Sequence, residues 1–452
     1  MTRGPIGRRD AAVLVSSFLF AAAVAGAGLY GGSTGTFGRV LLAAASAMLA
    51  LLWLTARRVD CGPHSRRVSI AFGALAGLAL LQAVPVPEGI ARMLGPLAVA
   101  SRDAYGGRDG GVSMSLDADA TRRAGLLLLG FAVLVAAIGR RISVGAAPTL
   151  ARGLALAALG VAAVGLISGS YGQREIEIFG GFEVSNPFQA YGSFPNRAQF
   201  AGFETVLAGA SLWLLAAPGR PLLDRGLGAV ALTVSAWAIF ASGSRAGVAG
   251  IALAIAAAFV LTPDRARRRR RAGAAILLGV LVLGGRAAGV DLLVRVLPVR
   301  GDESARLELW RGSLDLATRQ PIVGVGLDAF RYAYAGEGRG PSDRLVAVAE
   351  NDALHLAAEG GIAGVLIAAF GAAALVGGYR SRRRTASEVT RRSASLALSG
   401  PLGLLPLVMT SVPLHTPAVA FASIAAGALV VALLREDAAS AEAGYASLSE
   451  SS

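Results

Sequence analysis

The chain has 452 residues, of which 54% are hydrophobic and only 16% are charged. Soluble domains are about 45–50% apolar and about 25% charged, so this composition excludes an ordinary soluble domain and a disordered chain. A single cysteine excludes an intramolecular disulfide scaffold. The composition instead predicts an all-α polytopic membrane protein, in which the abundant small residues let helices pack closely.

The net charge of +14 would favour nucleic-acid binding in a soluble chain. Here the arginines occur in short runs between apolar segments, which is typical of topology signals, so we expect no nucleic-acid partner. His64, His355 and His415 lie far apart in the sequence and form no cluster with metal-ligand spacing. The sequence therefore predicts neither a metal nor another cofactor.

The apolar segments predict about twelve transmembrane helices in a single membrane domain that covers residues 1–452, since each span needs about 20 apolar residues. Three arginines precede the first segment, as in a signal peptide, but its length and the eleven later spans favour an uncleaved helix. The predicted spans are 11–31, 37–56, 68–87, 122–139, 149–169, 197–217, 226–242, 246–262, 272–290, 353–378, 395–412 and 416–434.

The arginine runs predict the orientation of these spans. The basic stretches 57–67, 264–271 and 380–392 all fall on one side when the spans alternate. Arginine-rich loops favour the cytoplasmic side, so the pattern predicts that both termini are cytoplasmic. Removing one span or inverting the chain breaks this agreement.

Three longer loops then face the opposite, extracytoplasmic side, at 88–121, 170–196 and 291–352. The last is too long for a simple connector. Within it, residues 301–321 predict a helix that begins near Asp302 and ends before Pro321, with an apolar stripe, and that lies on the outer membrane face or over a cavity. The Ala-, Ser- and Glu-rich stretch 436–452 predicts a disordered cytoplasmic tail.

Four polar motifs are the candidate functional residues, because polar groups near membrane spans are often functional. All four fall on the extracytoplasmic side of the predicted topology. They are GSFPNRAQFAG at 192–202 with Asn196 and Arg197, SGSRAG at 242–247 with Arg245, Arg306 and Arg311 followed by PIVGVGLDAF, and ENDALHLAAEGGIAG at 350–364.

Each motif also has a purely structural interpretation. The arginines could reach lipid phosphates, the glycines could form turns, Asp352 could cap a helix, and His355 could be a buried core residue. The functional interpretation gains weight because Asp352, His355 and Glu359 share one helical face. Exposing these polar side chains to lipid would be costly, so we expect this face to point into a cavity of the protein.

The residue types fit transfer from a lipid diphosphate. Arginine pairs two oxygens of a diphosphate at once, and we expect Arg197, Arg245 and Arg306 to converge on one such group. A neighbouring carboxylate or imidazole could remove a proton from an attacking hydroxyl. The residues alone predict an outward-facing anionic-lipid site and do not identify a sugar.

The motifs together resemble the O-antigen ligase and polymerase superfamily of bacterial membrane glycosyltransferases. The similarity is clearest over 190–430. SGSRAG is similar to the family's Ser-Arg-Gly turn, ARLELWRGSLDLATRQPIVGVGLDAF at 305–330 to its Arg-x-x-x-Trp helix, and SVPLHTPAVAF at 411–421, with His415, to its last outward loop. SMSLDADATRRAG at 113–125 also resembles the family.

The family's hallmark is His-Asn, nine residues, Gly, two residues and a small residue. Asn351, Gly361 and Gly364 keep this spacing, but Glu350 occupies the position of the histidine, which is the family's presumed base. Three alternatives follow. Glu350 is the base, His355 has taken over, or the chain has lost ligase chemistry. The resemblance implies catalytic roles for Glu350, His355 and Asn351, with supporting roles for Asn196, Asp352, Glu359 and His415.

The resemblance also implies the reaction and its location. A glycan would move from an undecaprenyl-diphosphate carrier to a hydroxyl of a glycan, a lipid-linked core or a protein, at the outer face of the bacterial inner membrane. The altered hallmark favours a polysaccharide polymerase. The alternative is a transporter, flippase or binding protein for lipid-linked glycans, but flippases need polar groups deep in many spans, whereas here the polar residues crowd one face.

Overall fold

The computed structural model describes residues 8–30, 35–55, 63–104, 111–141, 146–170, 190–261, 302–336 and 346–449. Those residues are nearly all helical and contain no strand. Only two isolated bridges pair extended backbone, Val86 with Val112 and Tyr191 with Phe194. This architecture agrees with the predicted all-α membrane protein.

The helices of the described residues are α1 Arg8–Leu29, α2 Thr36–Thr55, α3 Pro63–Ala83, α4 Glu88–Leu94, α5 Pro96–Ala104, α6 Ala118–Arg141, α7 Ala146–Ser170, α8 Arg197–Ala216, α9 Leu222–Ala241, α10 Arg245–Val260, α11 Asp302–Arg319, α12 Phe330–Gly336, α13 Asp352–Thr385, α14 Glu388–Leu402, α15 Leu405–Thr410 and α16 Pro417–Ser449.

Eight helical stretches in the described part of the chain are long and apolar enough to cross a membrane, and three shorter apolar helices accompany them. The shorter ones lie in α1, α2 and α10. Each of these eleven helices coincides with a predicted span, and α14 together with α15 corresponds to the predicted span 395–412. The remaining span, 272–290, lies outside the described residues, so the number twelve stays a prediction.

Two further expectations concern segments outside the spans. The helix predicted within 301–321 is confirmed as α11, which ends at Arg319 just before Pro321. Two of its apolar side chains, Leu307 and Leu314, are about half exposed. The last helix continues to Ser449, where the composition predicts a disordered tail. Alanine is the strongest helix former, which explains why this Ala-rich stretch prolongs the helix.

Helix α8 lies at the centre of the bundle. In the most apolar stretch of this helix 89% of the residues are buried, the largest share among the candidate spans. It packs against α7, α9, α10, α14 and α16. Close approach to α14 depends on small residues, because a Cβ on Gly209 would lie 2.2 Å from the carbonyl oxygen of Ala397. Asn196 and Arg197 therefore begin a helix that is almost wholly surrounded by protein.

Helix α13 is broken at Gly361, whose φ of 57° and ψ of −161° are not helical. The break accommodates residues 321–326, here called the docked segment. The amide of Val325 donates to the carbonyl of Ala358 at 2.9 Å, and the amide of Ile362 donates to the carbonyl of Pro321 at 2.8 Å. Backbone groups released by the break are thus satisfied within the protein, as a span in lipid requires.

Candidate functional site

The site is built around the first turn of α13. Asn351 caps this helix, since its Oδ1 accepts from the amides of Ala353 at 3.0 Å and Leu354 at 3.1 Å. Its Nδ2 donates to the carbonyl of Met409 at 3.1 Å. The neighbouring Asp352 accepts from the amide of Leu414 at 3.1 Å through Oδ2. These contacts fix the start of α13 against the loop 411–416, which contains His415.

Glu350 precedes the cap in an unusual backbone conformation. Its φ is 51°, in the left-handed region, which a glutamate occupies only when the surroundings enforce it. The Nε of Arg306 on α11 donates to its Oε2 at 2.8 Å. The indole of Trp310 donates to its carbonyl at 3.4 Å. The side chain stays 22% exposed, so Glu350 is held in place and remains accessible from the outside of the protein.

Near the start of α13 lies a chain of charged and imidazole groups, here called the polar cluster and formed by Arg39, Asp328, His415, Glu359 and His355. The Nε2 of His355 lies 3.4 Å from Oε1 of Glu359, and both side chains are nearly fully buried. The Nδ1 of His415 lies 4.0 Å from Oε2 of Glu359, and its Nε2 lies 3.4 Å from Oδ1 of Asp328. Arg39 closes the chain through an ion pair with Asp328.

The two histidine rings are in direct contact, with centroids 4.3 Å apart at an interplanar angle of 78°. His355 is also packed against the ring of Phe330, 5.0 Å away. Its Nδ1 accepts from the amide of Ala349 at 3.3 Å. In a neutral ring the proton then lies on Nε2, which faces Glu359. His355 is therefore enclosed by protein, whereas His415 is 26% exposed.

The two loop members of the polar cluster favour their charged forms. Burial alone would raise the pKa of Asp328, but the hydrogen bond from His415 and the positive charge of Arg39 outweigh it and lower the pKa. Burial alone would lower the pKa of His415, but its hydrogen bond to Asp328 and the charges of Glu359 and Asp328 raise it. The contacts of His415 thus favour its protonated form, and those of Asp328 favour the carboxylate.

The docked segment leads into Asp328 and so positions it beside Arg39 and His415. Gln82 on α3 holds that segment in place. The side-chain amide of Gln82 donates to the carbonyls of Val323 and Glu359, and its Oε1 accepts from the amide of Leu327 at 3.1 Å. Asp328 itself has a φ of 68°, which aspartate tolerates better than most residues. One polar side chain therefore bridges the broken helix and the loop that carries Asp328.

Sequence reasoning missed Arg39, Asp328 and Gln82. Arg39 and Asp328 are 289 residues apart and share no motif. An available signal was the position of Arg39 near the end of a span, where an ionisable group needs a partner.

Arg197 and Arg245 lie at the same end of the bundle. Asn196 caps α8 by accepting from the amide of Ala198, and Ser244 caps α10 by accepting from the amide of Gly247. A Cβ on Gly247 would lie 2.4 Å from that of Ala201, and a Cβ on Gly202 would lie 3.0 Å from that of Pro413. Both helices therefore start beside the loop 411–416.

Arg306 is engaged differently, because it pairs with Glu350 rather than standing apart from it. Convergence of Arg197, Arg245 and Arg306 on one diphosphate stays a prediction. Arg311 is exposed on the same helix as Arg306.

Among the described residues, His355, Glu359 and His415 could in principle hold a metal, because their ligand atoms all lie within 4.8 Å of one another. A two-histidine, one-carboxylate set is a known zinc arrangement. However, the Nδ1 of His355 accepts a backbone hydrogen bond, and metal binding at Nε2 would require the opposite tautomer and leave the amide of Ala349 unpaired. Binding of a metal at this set would therefore cost the hydrogen bond that His355 now accepts.

The arrangement offers the accessible side chain of Glu350, a histidine with a raised pKa and several arginines at one end of the bundle. A carboxylate can accept a proton from a hydroxyl, and the cations can stabilise a polyanionic group.

A comparison with known protein families points to the same class of chemistry. Residues 229–369 match the family described as O-Antigen ligase. This segment includes Arg245, Arg306, Glu350, His355 and Glu359. No curated protein matches the chain significantly. The match supports a membrane glycan-transfer role of the O-antigen ligase or polymerase type. It also confirms, over residues 229–369, the resemblance to the O-antigen ligase superfamily that the motifs predicted.

Proposed function

We propose that this chain is a glycosyltransferase that moves a glycan from an undecaprenyl-diphosphate carrier to an acceptor hydroxyl, without a metal, at the extracytoplasmic face of the bacterial inner membrane. Within this class we favour a polysaccharide polymerase, in which the acceptor is another carrier-linked glycan. The observation that carries the proposal is Glu350, which by the family resemblance stands at the histidine position, is held in the left-handed region and follows Ala349, whose amide donates to His355 of the polar cluster.

Glu350 is the general base in this proposal. Its carboxylate takes the proton of the acceptor hydroxyl while the hydroxyl oxygen bonds to the anomeric carbon of the donor sugar. The bond between that carbon and the diphosphate oxygen breaks, and the carrier diphosphate leaves with the electron pair. Glu350 suits the role better than His355 because its side chain is 22% exposed, whereas that of His355 is 3% exposed and already faces Glu359.

The cations support the donor. His415, with its raised pKa, and the arginines at the helix starts stabilise the leaving diphosphate. Arg306 connects donor binding with the base in this proposal. A diphosphate that attracts the guanidinium of Arg306 would loosen its ion pair with Glu350, and the carboxylate would then be free for the acceptor. In the family resemblance Asn351 is catalytic, and here it caps α13 and so holds Glu350 at the site entrance.

Substitutions at Glu350 test the base. Glu350→Gln should fold and lose glycan transfer, because an amide has no basic oxygen, whereas Glu350→His should retain activity since it restores the family residue. Glu308→Gln is the matched control, because Glu308 is an exposed carboxylate on α11. The measurement is elongation of lipid-linked glycan by the purified chain in detergent or vesicles.

The other outcomes distinguish the alternatives. If Glu350→Gln is fully active and His355→Ala is inactive, His355 is the base. If both variants are active, the chain does not use this mechanism, and transport or binding of lipid-linked glycans becomes the better explanation. A product that grows in length identifies a polymerase, while a single transfer to a lipid-linked core or a protein identifies the other two branches.

The arginines are tested by conservative replacement. Arg197→Lys and Arg245→Lys should reduce transfer strongly, because lysine cannot form the two-pronged contact with a diphosphate. Arg225→Lys serves as the control, since Arg225 is exposed on α9. Equal activity of all three variants would contradict diphosphate binding by Arg197 and Arg245.

Sidedness is a separate part of the proposal. A reporter fused near Gly338 should be extracytoplasmic, and one fused near Arg269 should be cytoplasmic, because the flanking arginine runs favour the inside. The reverse result would place the whole site on the wrong side for a donor exposed at the outer face.

A further inference from the structure

The described part of the chain contains a second concave, charged region far from the candidate site. It is a cavity of about 470 Å³ where the C-terminal end of α13 meets the start of α14 and the end of α10. Five arginines line it, Arg380, Arg383 and Arg384 from α13 and Arg391 and Arg392 from α14, with Glu388 as the only carboxylate among the lining residues.

This cavity lies at the opposite end of the bundle from Glu350. Helix α13 begins at Asp352 in the candidate site and continues for 34 residues to Thr385, despite its break. At 1.5 Å per residue it is roughly 50 Å long. The hydrocarbon core of a bilayer is only about 30 Å thick, so the two ends of α13 lie on opposite sides of it.

The two helices that carry the arginines are joined by a side-chain contact. The hydroxyl of Tyr379 on α13 lies 3.1 Å from that of Ser395 on α14. The guanidinium of Arg383 lies 5.8 Å from the centroid of the Tyr379 ring. Arginines gathered around one cavity repel each other unless an anion is present, whereas arginines that only set topology can spread apart in water.

We propose that this cavity binds the headgroup of an anionic phospholipid from the leaflet opposite the candidate site. The phosphate pairs with the guanidinium groups, which suit its oxygens. The cavity lies at the end of a helix that is long and apolar enough to cross a membrane, and basic pockets between membrane helices are known to bind anionic lipids. Leu375 and Val376, which precede the cavity on α13, are about half exposed and offer an apolar surface to the acyl chains.

The test uses the full chain, purified in detergent, and native mass spectrometry with phosphatidylglycerol. Phosphatidylcholine is the zwitterionic control, and glycerol phosphate is the soluble form of the headgroup. Arg383→Gln and Arg392→Gln are compared with Arg382→Gln. Arg382 is the neighbour of Arg383 on α13 but does not line the cavity, so its replacement removes the same charge from the same region.

Phosphatidylglycerol should bind in preference to phosphatidylcholine, and each cavity variant should weaken its binding roughly fivefold, while Arg382→Gln should leave it unchanged. Equal weakening by Arg382→Gln would overturn the proposal, because binding would then follow overall charge. Glycerol phosphate binding as tightly as the lipid would also overturn it, since the occupant would then be a soluble phosphate. The proposal does not depend on the glycosyltransferase function.

Discussion

Replacing Gly361 by alanine should destabilise the protein and disrupt the candidate site. Gly361 has a φ of 57° and a ψ of −161°, which is essentially a glycine-only conformation, and forcing alanine into it costs about 1–3 kcal/mol. An added Cβ would also lie 2.6 Å from the carbonyl carbon and oxygen of Ile322 and 2.7 Å from the amide of Gly324, both in the docked segment. Displacing backbone in a packed interior adds about 1–3 kcal/mol, giving about 2–6 kcal/mol in total.

Gly364→Ala is the matched control on the same helix. A Cβ there would meet only Leu356 and Leu78 side chains, at 3.4 Å and beyond. It should be neutral or stabilising by about 0.4–1 kcal/mol, because alanine reduces the entropy of the unfolded chain. Thermal unfolding of detergent-solubilised protein, followed by tryptophan fluorescence, measures both variants. Equal unfolding temperatures for the two variants would refute the reasoning that the docked segment needs a break at Gly361.

Three further predictions concern the polar cluster and its support. Asp328→Asn should cost about 1–3 kcal/mol and reduce glycan transfer, because it leaves Arg39 partly buried without its counter-charge; unchanged thermal stability and activity would contradict this. His415 should contribute stability that is fully present below about pH 6.5 and is lost as the pH rises through its raised folded pKa, so His415→Gln should flatten the unfolding temperature over that range. Gln82→Leu should cost about 2–4 kcal/mol, because it leaves the amide of Leu327 and the carbonyl of Val323 unpaired and removes one of the two donors to the carbonyl of Glu359; a stable variant would show that water replaces the side chain.

Apolar length predicted the membrane helices because a span in lipid must be both long and apolar. The shared helical face of Asp352, His355 and Glu359 also predicted a cavity, and the structure buries His355 and Glu359. Helix periodicity carries this information because it depends only on neighbours along the chain. The sequence pointed to Asp352 as the possible cap of this helix, whereas in the structure the cap is Asn351, one residue earlier.

Contacts between distant segments could not be predicted in this way. The pair of glycines at 360 and 361 is compatible with a continuous span, and only the docked segment shows why the helix breaks there. Nothing in the sequence near Arg39 indicates that Asp328 is its partner. Arg306 was expected to converge with Arg197 and Arg245 on one diphosphate, and its contact with Glu350 was not foreseen because it depends on how α11 lies over the start of α13.

The near-complete burial of α8 has a consequence for how the protein is made. It is among the least apolar of the candidate spans, and it carries Glu204, which is fully buried and accepts a hydrogen bond from Ser235 on α9. During synthesis α8 leaves the ribosome before α9 and α14, so a lone α8 would expose this carboxyl group to lipid, at an estimated cost of about 2.5–3.5 kcal/mol for a central acidic residue. We therefore expect α8 to insert into the membrane together with its later neighbours. Chains truncated before α9 should be retained at the translocon or degraded.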